Sequence, residues 1–220
     1  MTYENEPLTL TAQLQGDDTS ASLKQLNING FDGKITTHGQ VDWSSSPINY
    51  ELAANWQHLR LPASLSEVAV YIKQGQLNLL GNTNTMTLRS ETDLTVNDVA
   101  MTINASGDGK TDIGFEQSQL HIQLGKGEID YQGRLAWAGE SLVDGHLTVN
   151  QFNPGIILTE WPGSLSGQAP LIVSQTDNQL NVVLDTLKLS GSLRQKPLAI
   201  EAKLSSKAND VLIDHFSARS

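Results

Sequence analysis

Apolar and polar residues alternate along most of the chain in short runs. Leu8, Leu10, Ala12 and Leu14 form one such run, which ends at Gly16-Asp17-Asp18. Because successive side chains of an extended backbone point to opposite sides, each run predicts a strand with one apolar and one polar face. Gly, Asn, Asp and Ser interrupt the runs about every 8 to 12 residues, as in antiparallel strands joined by tight turns. We expect about 15 to 18 strands and little or no helix.

One strand pattern occurs twice in the chain. Subtracting positions, Gly127, Ile129, Gly133, Leu135 and Trp137 each follow Gly33, Ile35, Gly39, Val41 and Trp43 by 94 residues. In both copies these residues have one parity, and polar residues occupy the other, so the pattern predicts a strand with one dry face. The glycine on the dry face leaves a gap, which permits a bend or the close approach of another backbone or a ligand.

Several other stretches predict strands of their own. They lie around Leu77 and Leu79, from Leu180 to Leu184, and around Leu187 and Leu189. The stretch from His58 to Glu67 is the one place where a short helix competes, since Leu65, Val68 and Tyr71 have helical spacing. Val68, Val70 and Ile72 fit a strand better.

No shift in composition marks a linker. We therefore expect residues 1–220 to form a single continuous segment, with two related repeat units at about 8–105 and 115–215. The polar, acidic N-terminus lacks the features of a signal peptide, and the strand-like alternation continues almost to Ser220. These ends suggest a piece of a longer protein, with Met1 supplied for expression.

Composition excludes several classes of function. The net charge of −10 argues against binding of nucleic acid or anionic lipid headgroups by electrostatics. With no cysteine, the chain has no disulfide, thiolate metal site or cysteine nucleophile. No apolar run is long enough to span a membrane as a helix.

The sequence presents no constellation of catalytic residues, so we expect no enzyme and no cofactor. The five histidines are scattered without metal-ligand spacing. Gly163-Ser-Leu-Ser-Gly167 lacks the spacing of a nucleophile elbow, and Asp108-Gly-Lys-Thr-Asp112 lacks the ligands of a calcium loop. Trp43, Trp56, Trp137 and Trp161 could form a platform for sugars, but Trp43 and Trp137 share the parity of the dry face.

The apolar face has two possible uses. Aromatic residues make up only 5% of the chain, so the face consists mainly of Leu, Ile and Val, with Gly and Ala between them. Such a lining could stay open and hold acyl chains, or it could fill an ordinary sandwich core. The residues that we expect to line an open groove are Ile35, Val41, Trp43, Leu52, Ile129, Tyr131, Leu135, Trp137, Leu147, Val149, Leu171 and Val173.

A distinctive order of motifs follows the second repeat copy. After Gly127 to Trp137 come a strand ending in Val149-Asn150, then Asn153-Pro-Gly155, then Trp161-Pro-Gly-x-Leu-x-Gly167. This order resembles the repeats of TamB-like members of the AsmA-like family, large periplasmic bridge proteins of Gram-negative bacteria. The resemblance is best from Leu120 to Val173. It is weaker from Leu26 to Leu65, where Leu61-Pro-Ala-Ser-Leu65 lacks the Pro-Gly turn.

The resemblance implies a fold and a function. It implies a long β-sheet folded lengthwise into a hydrophobic groove, called a β-taco, in a periplasmic protein anchored in the inner membrane outside this segment. The implied cargo is phospholipid moving between the inner and outer membranes. The implied partners are an outer-membrane barrel protein, TamA, and unfolded strands of outer-membrane proteins. Two rivals stand beside it: an extracellular carbohydrate-binding or adhesive β-sandwich or solenoid, and a structural spacer with a filled core.

Overall fold

The chain is almost entirely β-strand in a computed structural model that describes residues 2–3, 6–61, 69–156, 158–176, 179–207 and 210–219. It divides into two compact units, Met1–Thr111 and Asp112–Ser220. Sixteen strands lie in the described residues, and the sole helical element there is a 3-10 turn, Pro154–Ile156. The prediction of an all-β antiparallel meander is therefore confirmed. The predicted repeat boundaries, about 8–105 and 115–215, stay a prediction.

The first unit begins with a short pair of strands, β1 (Thr2–Tyr3) and β2 (Glu6–Pro7). Seven longer strands follow: β3 (Thr9–Gly16), β4 (Ser20–Gly30), β5 (Gly33–Asp42), β6 (Asn49–Arg60), β7 (Val70–Asn82), β8 (Thr85–Val96) and β9 (Val99–Lys110). Each pairs with its chain neighbour in antiparallel fashion.

The second unit repeats this plan. Its strands are β10 (Gly114–Leu124), β11 (Gly127–Ala136), β12 (Ser141–Phe152), β13 (Gly163–Thr176), β14 (Gln179–Leu193), β15 (Lys196–Lys207) and β16 (Asp210–Arg219). They too pair in chain order. In neither unit does the first strand of this series pair with the last, so neither series of strands closes on itself.

Bulges extend the strands beyond the limits that strict alternation predicts. The register shifts between Leu184 and Leu187, and residues on both sides of the shift belong to β14. The two strands predicted from Leu180 to Leu184 and around Leu187 are therefore one strand. The same holds in β7, where a shift between Ile72 and Gln74 joins two predicted strands. A bulge inserts an extra residue, so that apolar side chains stay on one face although their spacing changes from even to odd.

The region of the competing helix is described only in part. His58 to Arg60 lie in β6, and β7 begins at Val70. Residues 62–68, which include Leu65 and Val68, lie outside the described part of the chain.

Few side chains are buried. The chain exposes 13774 Å², whereas a compact monomer of 23.9 kDa exposes roughly 9,900 Å². Among the described residues the buried hydrophobic side chains are Ala53, Met86, Leu94, Leu124, Tyr131, Ala169 and Ala202. Most apolar side chains of the strands are therefore half-buried, in contrast to those of a filled sandwich core, which are fully buried.

The polar face of the first unit is held by hydrogen bonds between neighbouring strands. Asp93 on β8 accepts from Gln74 Nε2 at 2.9 Å and from Thr102 Oγ1 at 3.0 Å. Asp108 on β9 accepts from Thr87 Oγ1 at 2.7 Å and pairs with Arg89 at 2.9 Å. These bonds favour the ionised carboxylates. They lower the pKa of Asp93, chiefly through Gln74, and the pKa of Asp108, chiefly through Thr87.

Acid should weaken the first unit through these two aspartates. Because the folded state lowers their pKa, their contribution to stability is present above the unfolded pKa of about 3.9 and is lost as the pH falls through the folded value. Both groups lie at the surface, so we expect each to contribute less than about 1 kcal/mol. Urea unfolding between pH 5 and pH 2 should show a shallower pH dependence for Asp93→Asn/Asp108→Asn than for the unchanged chain. Identical slopes would contradict this assignment.

Candidate functional site

The register of the first unit gathers its apolar parity into rows across the strands. We name this surface the first apolar face. One row contains Ile28, Ile35, Trp56, Gly75, Thr92 and Ile103; two further rows of the same face contain Leu23, Gly39, Leu52, Leu79 and Leu88, and Ala21, Val41, Tyr50, Gly81 and Met86. Each row crosses the strands almost at right angles, because residues paired across antiparallel strands share a face.

The second unit carries an equivalent surface, the second apolar face. Its rows contain Ile122, Ile129, Val149, Gly167, Leu189 and Ile200; Leu120, Tyr131, Leu147 and Ala169; Ser118, Gly133, Gly145, Leu171, Leu184 and Leu204; and Phe115, Leu135, Val143, Val173 and Val182. Every residue in the rows of both faces is uncharged. Charged residues such as Glu51, Arg89 and Asp130 lie on the opposite parity.

The structure places the predicted lining residues on these two surfaces. Ile35, Val41 and Leu52 lie in the rows of the first apolar face, and Trp43 continues the parity of β5 just beyond its end. Ile129, Tyr131, Leu135, Leu147, Val149, Leu171 and Val173 lie in the rows of the second, and Trp137 follows β11. Val41 is 39% exposed and Leu135 is 36% exposed, so both can contact a bound molecule. Whether they contact lipid stays a prediction.

The two repeated tryptophans stand at the ends of their strands. Trp43 is exposed, and its Nε1 donates to the carbonyl oxygen of Asp18 at 2.8 Å. Trp137 is 52% exposed and meets the ring of Phe115 edge-on, with 5.6 Å between the centroids. Their place at strand ends, with one ring edge bonded or packed, suits an amphipathic side chain at the border between an apolar surface and water.

Two glycines of the first apolar face lie beneath aromatic rings. A Cβ built on Gly75 would overlap the indole of Trp56, its partner on β6. A Cβ on Gly81 would lie 2.8 Å from Oη of Tyr50, also its cross-strand partner. The gaps expected at such glycines are thus occupied by side chains of the same sheet.

Tyr131 covers two glycines of the second apolar face. A Cβ on Gly133 would lie 2.6 Å from its Oη, and one on Gly145 would lie 2.6 Å from its Cε2. The phenol is only 7% exposed and donates to the carbonyl oxygen of Arg134 at 2.9 Å. Beside it, buried Ser118 donates to the carbonyl oxygen of Gly133 at 2.7 Å. Burial raises the pKa of Tyr131, so the phenol stays protonated and can keep donating.

Sequence reasoning missed part of both faces. Tyr50 and Trp56 were outside the predicted lining although they share the parity of Leu52. That shared parity was the signal that could have found them. Leu189 was missed for another reason, because the bulge before Leu187 hides its continuity with Leu184.

Trp161 lies in the connection between β12 and β13. Asn153 Oδ1 accepts from Gly155 N at 3.0 Å and from Gly163 N at 2.9 Å, so one side chain joins the two ends of this connection. The guanidinium of Arg194 lies 5.7 Å from the Trp161 ring centroid, within the range of a cation–π contact. Trp161 is exposed, whereas Trp56 covers Gly75.

The described residues contain no group of three or more metal-ligating side chains placed to hold an ion. His121 Nδ1 and Asp130 Oδ1 form a simple pair at 2.7 Å. In the same part of the chain, no helix has the length and apolarity that crossing a membrane requires.

Removing the Tyr131 ring should destabilise the second unit. Tyr131→Ala leaves the backbone of Gly133 and Gly145 uncovered, and we expect a loss of about 3 kcal/mol in the free energy of unfolding. Tyr131→Phe keeps the ring and loses one hydrogen bond, for about 1 kcal/mol. The control, Trp137→Ala, removes an exposed ring and should cost less than about 1 kcal/mol. Urea unfolding measures all three, and equal losses for Tyr131→Ala and Trp137→Ala would refute the covering role.

Comparison with known proteins identifies the family. The family model described as TamB, N-terminal domain, matches residues 44–218, about four fifths of the chain. This range includes the second repeat copy and Asn153 to Gly167, and it begins directly after the first copy ends at Trp43. Neither curated proteins nor solved structures gave a match. The chain therefore belongs to the TamB family.

Proposed function

We propose that this chain is a non-enzymatic segment of a TamB-like periplasmic bridge, and that its apolar faces conduct phospholipid between the inner and outer membranes. The observation that carries the proposal is the pair of uncharged, half-exposed apolar faces in a family member with few buried side chains. An exposed apolar surface of this extent is costly in water unless something covers it. Acyl chains would cover it without requiring any polar contact.

The energetics suit transport better than tight binding. Burial of one acyl methylene stabilises by about 0.8 kcal/mol. Each row places an apolar side chain on successive strands, and neighbouring strands lie about 4.8 Å apart. An acyl chain that moves along a row by one strand therefore exchanges one set of aliphatic contacts for a similar one. No single position then holds the lipid strongly enough to stop it.

The charges favour keeping the headgroup in water. The rows carry no charged residue that could pair with a phosphate, and the net charge of −10 repels anionic headgroups and nucleic acid. On this proposal only the hydrocarbon lies against the sheet.

The same proposal includes a role in outer-membrane protein assembly. A TamB-like bridge would meet an outer-membrane barrel protein, TamA, and could receive unfolded outer-membrane strands by strand pairing. In the described residues β3 pairs with β4 alone, and Leu10 and Leu14 on it are exposed. Such an edge suits the addition of a strand.

Photo-crosslinking tests lipid contact directly. A photoreactive residue at Val41 or Leu135 should label phospholipid, because both side chains are exposed on the apolar faces. The controls are Gln40 and Gln132, exposed residues of the same strands on the polar face, and they should give little or no lipid adduct. Adducts with protein alone at Val41 and Leu135 would count against the proposal.

A charge on the apolar face should block transfer. Leu135→Asp sets a carboxylate against the hydrocarbon, and we expect transfer of labelled phospholipid between vesicles to fall at least about tenfold. Circular dichroism should show the fold retained, since Leu135 is 36% exposed. Gln132→Asp adds the same charge on the polar face and should transfer normally. Unchanged transfer by Leu135→Asp would contradict an apolar path along this row.

Carbohydrate binding is the second candidate. A hollow of about 380 Å³ lies among Asn55, Gln57, Gln74, Gln76, Glu91 and Asp93, whose amides and carboxylates could bond sugar hydroxyls. Trp161 is exposed and could stack on a sugar ring. A glycan array separates the candidates, because glycan binding without lipid crosslinking at Leu135 would favour this one.

A further inference from the structure

The glycines of the apolar faces occur together with large side chains that lie across them. We propose that each large side chain lies close to the sheet because a glycine leaves room beneath it, and that this makes the apolar faces smooth enough for a linear acyl chain to lie along them. We call this the levelling role of the covered glycines. This inference rests on the proposed lipid function and names the residues that would govern it. A covered glycine acts as a positioning residue here, since it acts through the side chain above it.

The pair in the first unit with the nearest contact to a ring is Gly75 with Trp56. They face each other across β6 and β7, and the indole occupies the place where a Cβ of residue 75 would stand. Of the atoms that such a Cβ would meet, the two nearest belong to the indole, ahead of the carbonyl oxygen of Glu91 at 2.8 Å. Any side chain at position 75 would therefore push the ring away from the sheet.

The second unit uses the same device with different residues. Tyr131 lies over Gly133 and Gly145, and Leu189 lies over Gly167, whose Cβ would come within 2.7 Å of Leu189 Cδ2. The same arrangement occurs in both units, but the side chain that lies over the glycine is Trp, Tyr or Leu. The property that these side chains share is therefore a position close to the sheet and not a particular ring chemistry. A side chain perpendicular to the sheet would instead occupy about half of the ~10 Å that separates packed layers.

The two tyrosines among these side chains bond their polar atoms within the sheet. Tyr131 Oη donates to the carbonyl oxygen of Arg134, and Tyr50 Oη lies 3.2 Å from Thr111 Oγ1. Each tilted ring is thus held at its polar end. A ring held in this way presents carbon to an approaching acyl chain and offers no free hydroxyl to stop it.

Uptake of a pyrene-labelled phosphatidylethanolamine from vesicles tests the proposal on the full chain. Gly75→Ala should raise the indole into the path and reduce uptake about tenfold, which corresponds to the loss of about two methylene contacts. Gly75→Ala/Trp56→Ala should recover part of the uptake, because the two nearest obstacles to the new methyl group are then gone and only the carbonyl oxygen of Glu91, at 2.8 Å, must shift. Asn78→Ala, at an exposed residue on the polar face of the same strand, is the control and should behave like the unchanged chain.

The outcomes separate this inference from the function on which it rests. If the unchanged chain takes up no lipid, the proposed function fails and the inference fails with it. If the unchanged chain takes up lipid and Gly75→Ala does so equally, only the levelling role is refuted. If Gly75→Ala loses uptake and the removal of Trp56 does not restore it, damage to the backbone explains the loss and the levelling role is again refuted. Fluorine NMR of 5-fluorotryptophan-labelled chain should also show a shifted Trp56 signal in Gly75→Ala.

Discussion

Backbone hydrogen bonding between neighbouring strands is the constraint on which both apolar faces depend. An individual strand of this chain carries only a few apolar side chains on one side. Antiparallel pairing places Ile35 opposite Trp56 and Ile129 opposite Val149, and repetition of such pairs turns single strands into rows. A slip of one residue would move each apolar side chain to the polar face. On the polar face, Asp93 and Asp108 accept side-chain hydrogen bonds from neighbouring strands in the same register.

The balance between burial and exposure is unusual for an all-β chain of this size. Most β domains bury the apolar side of a sheet against a second layer. Here few side chains are buried in the described residues, and stability comes instead from local devices: backbone ladders, bulges, and rings laid over neighbouring backbone. Such devices act between adjacent strands, so they require no second layer and leave the apolar surface accessible. That combination suits a member of a family whose function we connect with lipid.

Glycine has a different part in these sheets from the one that its sequence position suggests. An isolated glycine in a strand usually marks a bulge or a close approach. At Gly75 the approaching group is the ring of Trp56, and at Gly133 the Tyr131 hydroxyl approaches together with the backbone of Asp144 and Gly145. These groups restore packing that glycine alone would forgo. Trp56 and Gly75 lie 19 residues apart, and Tyr50 and Gly81 lie 31 residues apart, so local composition does not connect them.

Local sequence patterns were enough to predict the strand content, the two-faced character of each strand, the repeat at Gly33 and Gly127 and, through the motifs from Gly127 to Gly167, the resemblance to the family. These properties follow from local parity and turn residues, which neighbouring positions express directly. The structure was needed to show that Leu184 and Leu187 belong to one strand, and that rings from the neighbouring strand lie over Gly75 and Gly81. Bulges, register and the tilt of a ring depend on the strand alongside, and that strand is distant in the chain.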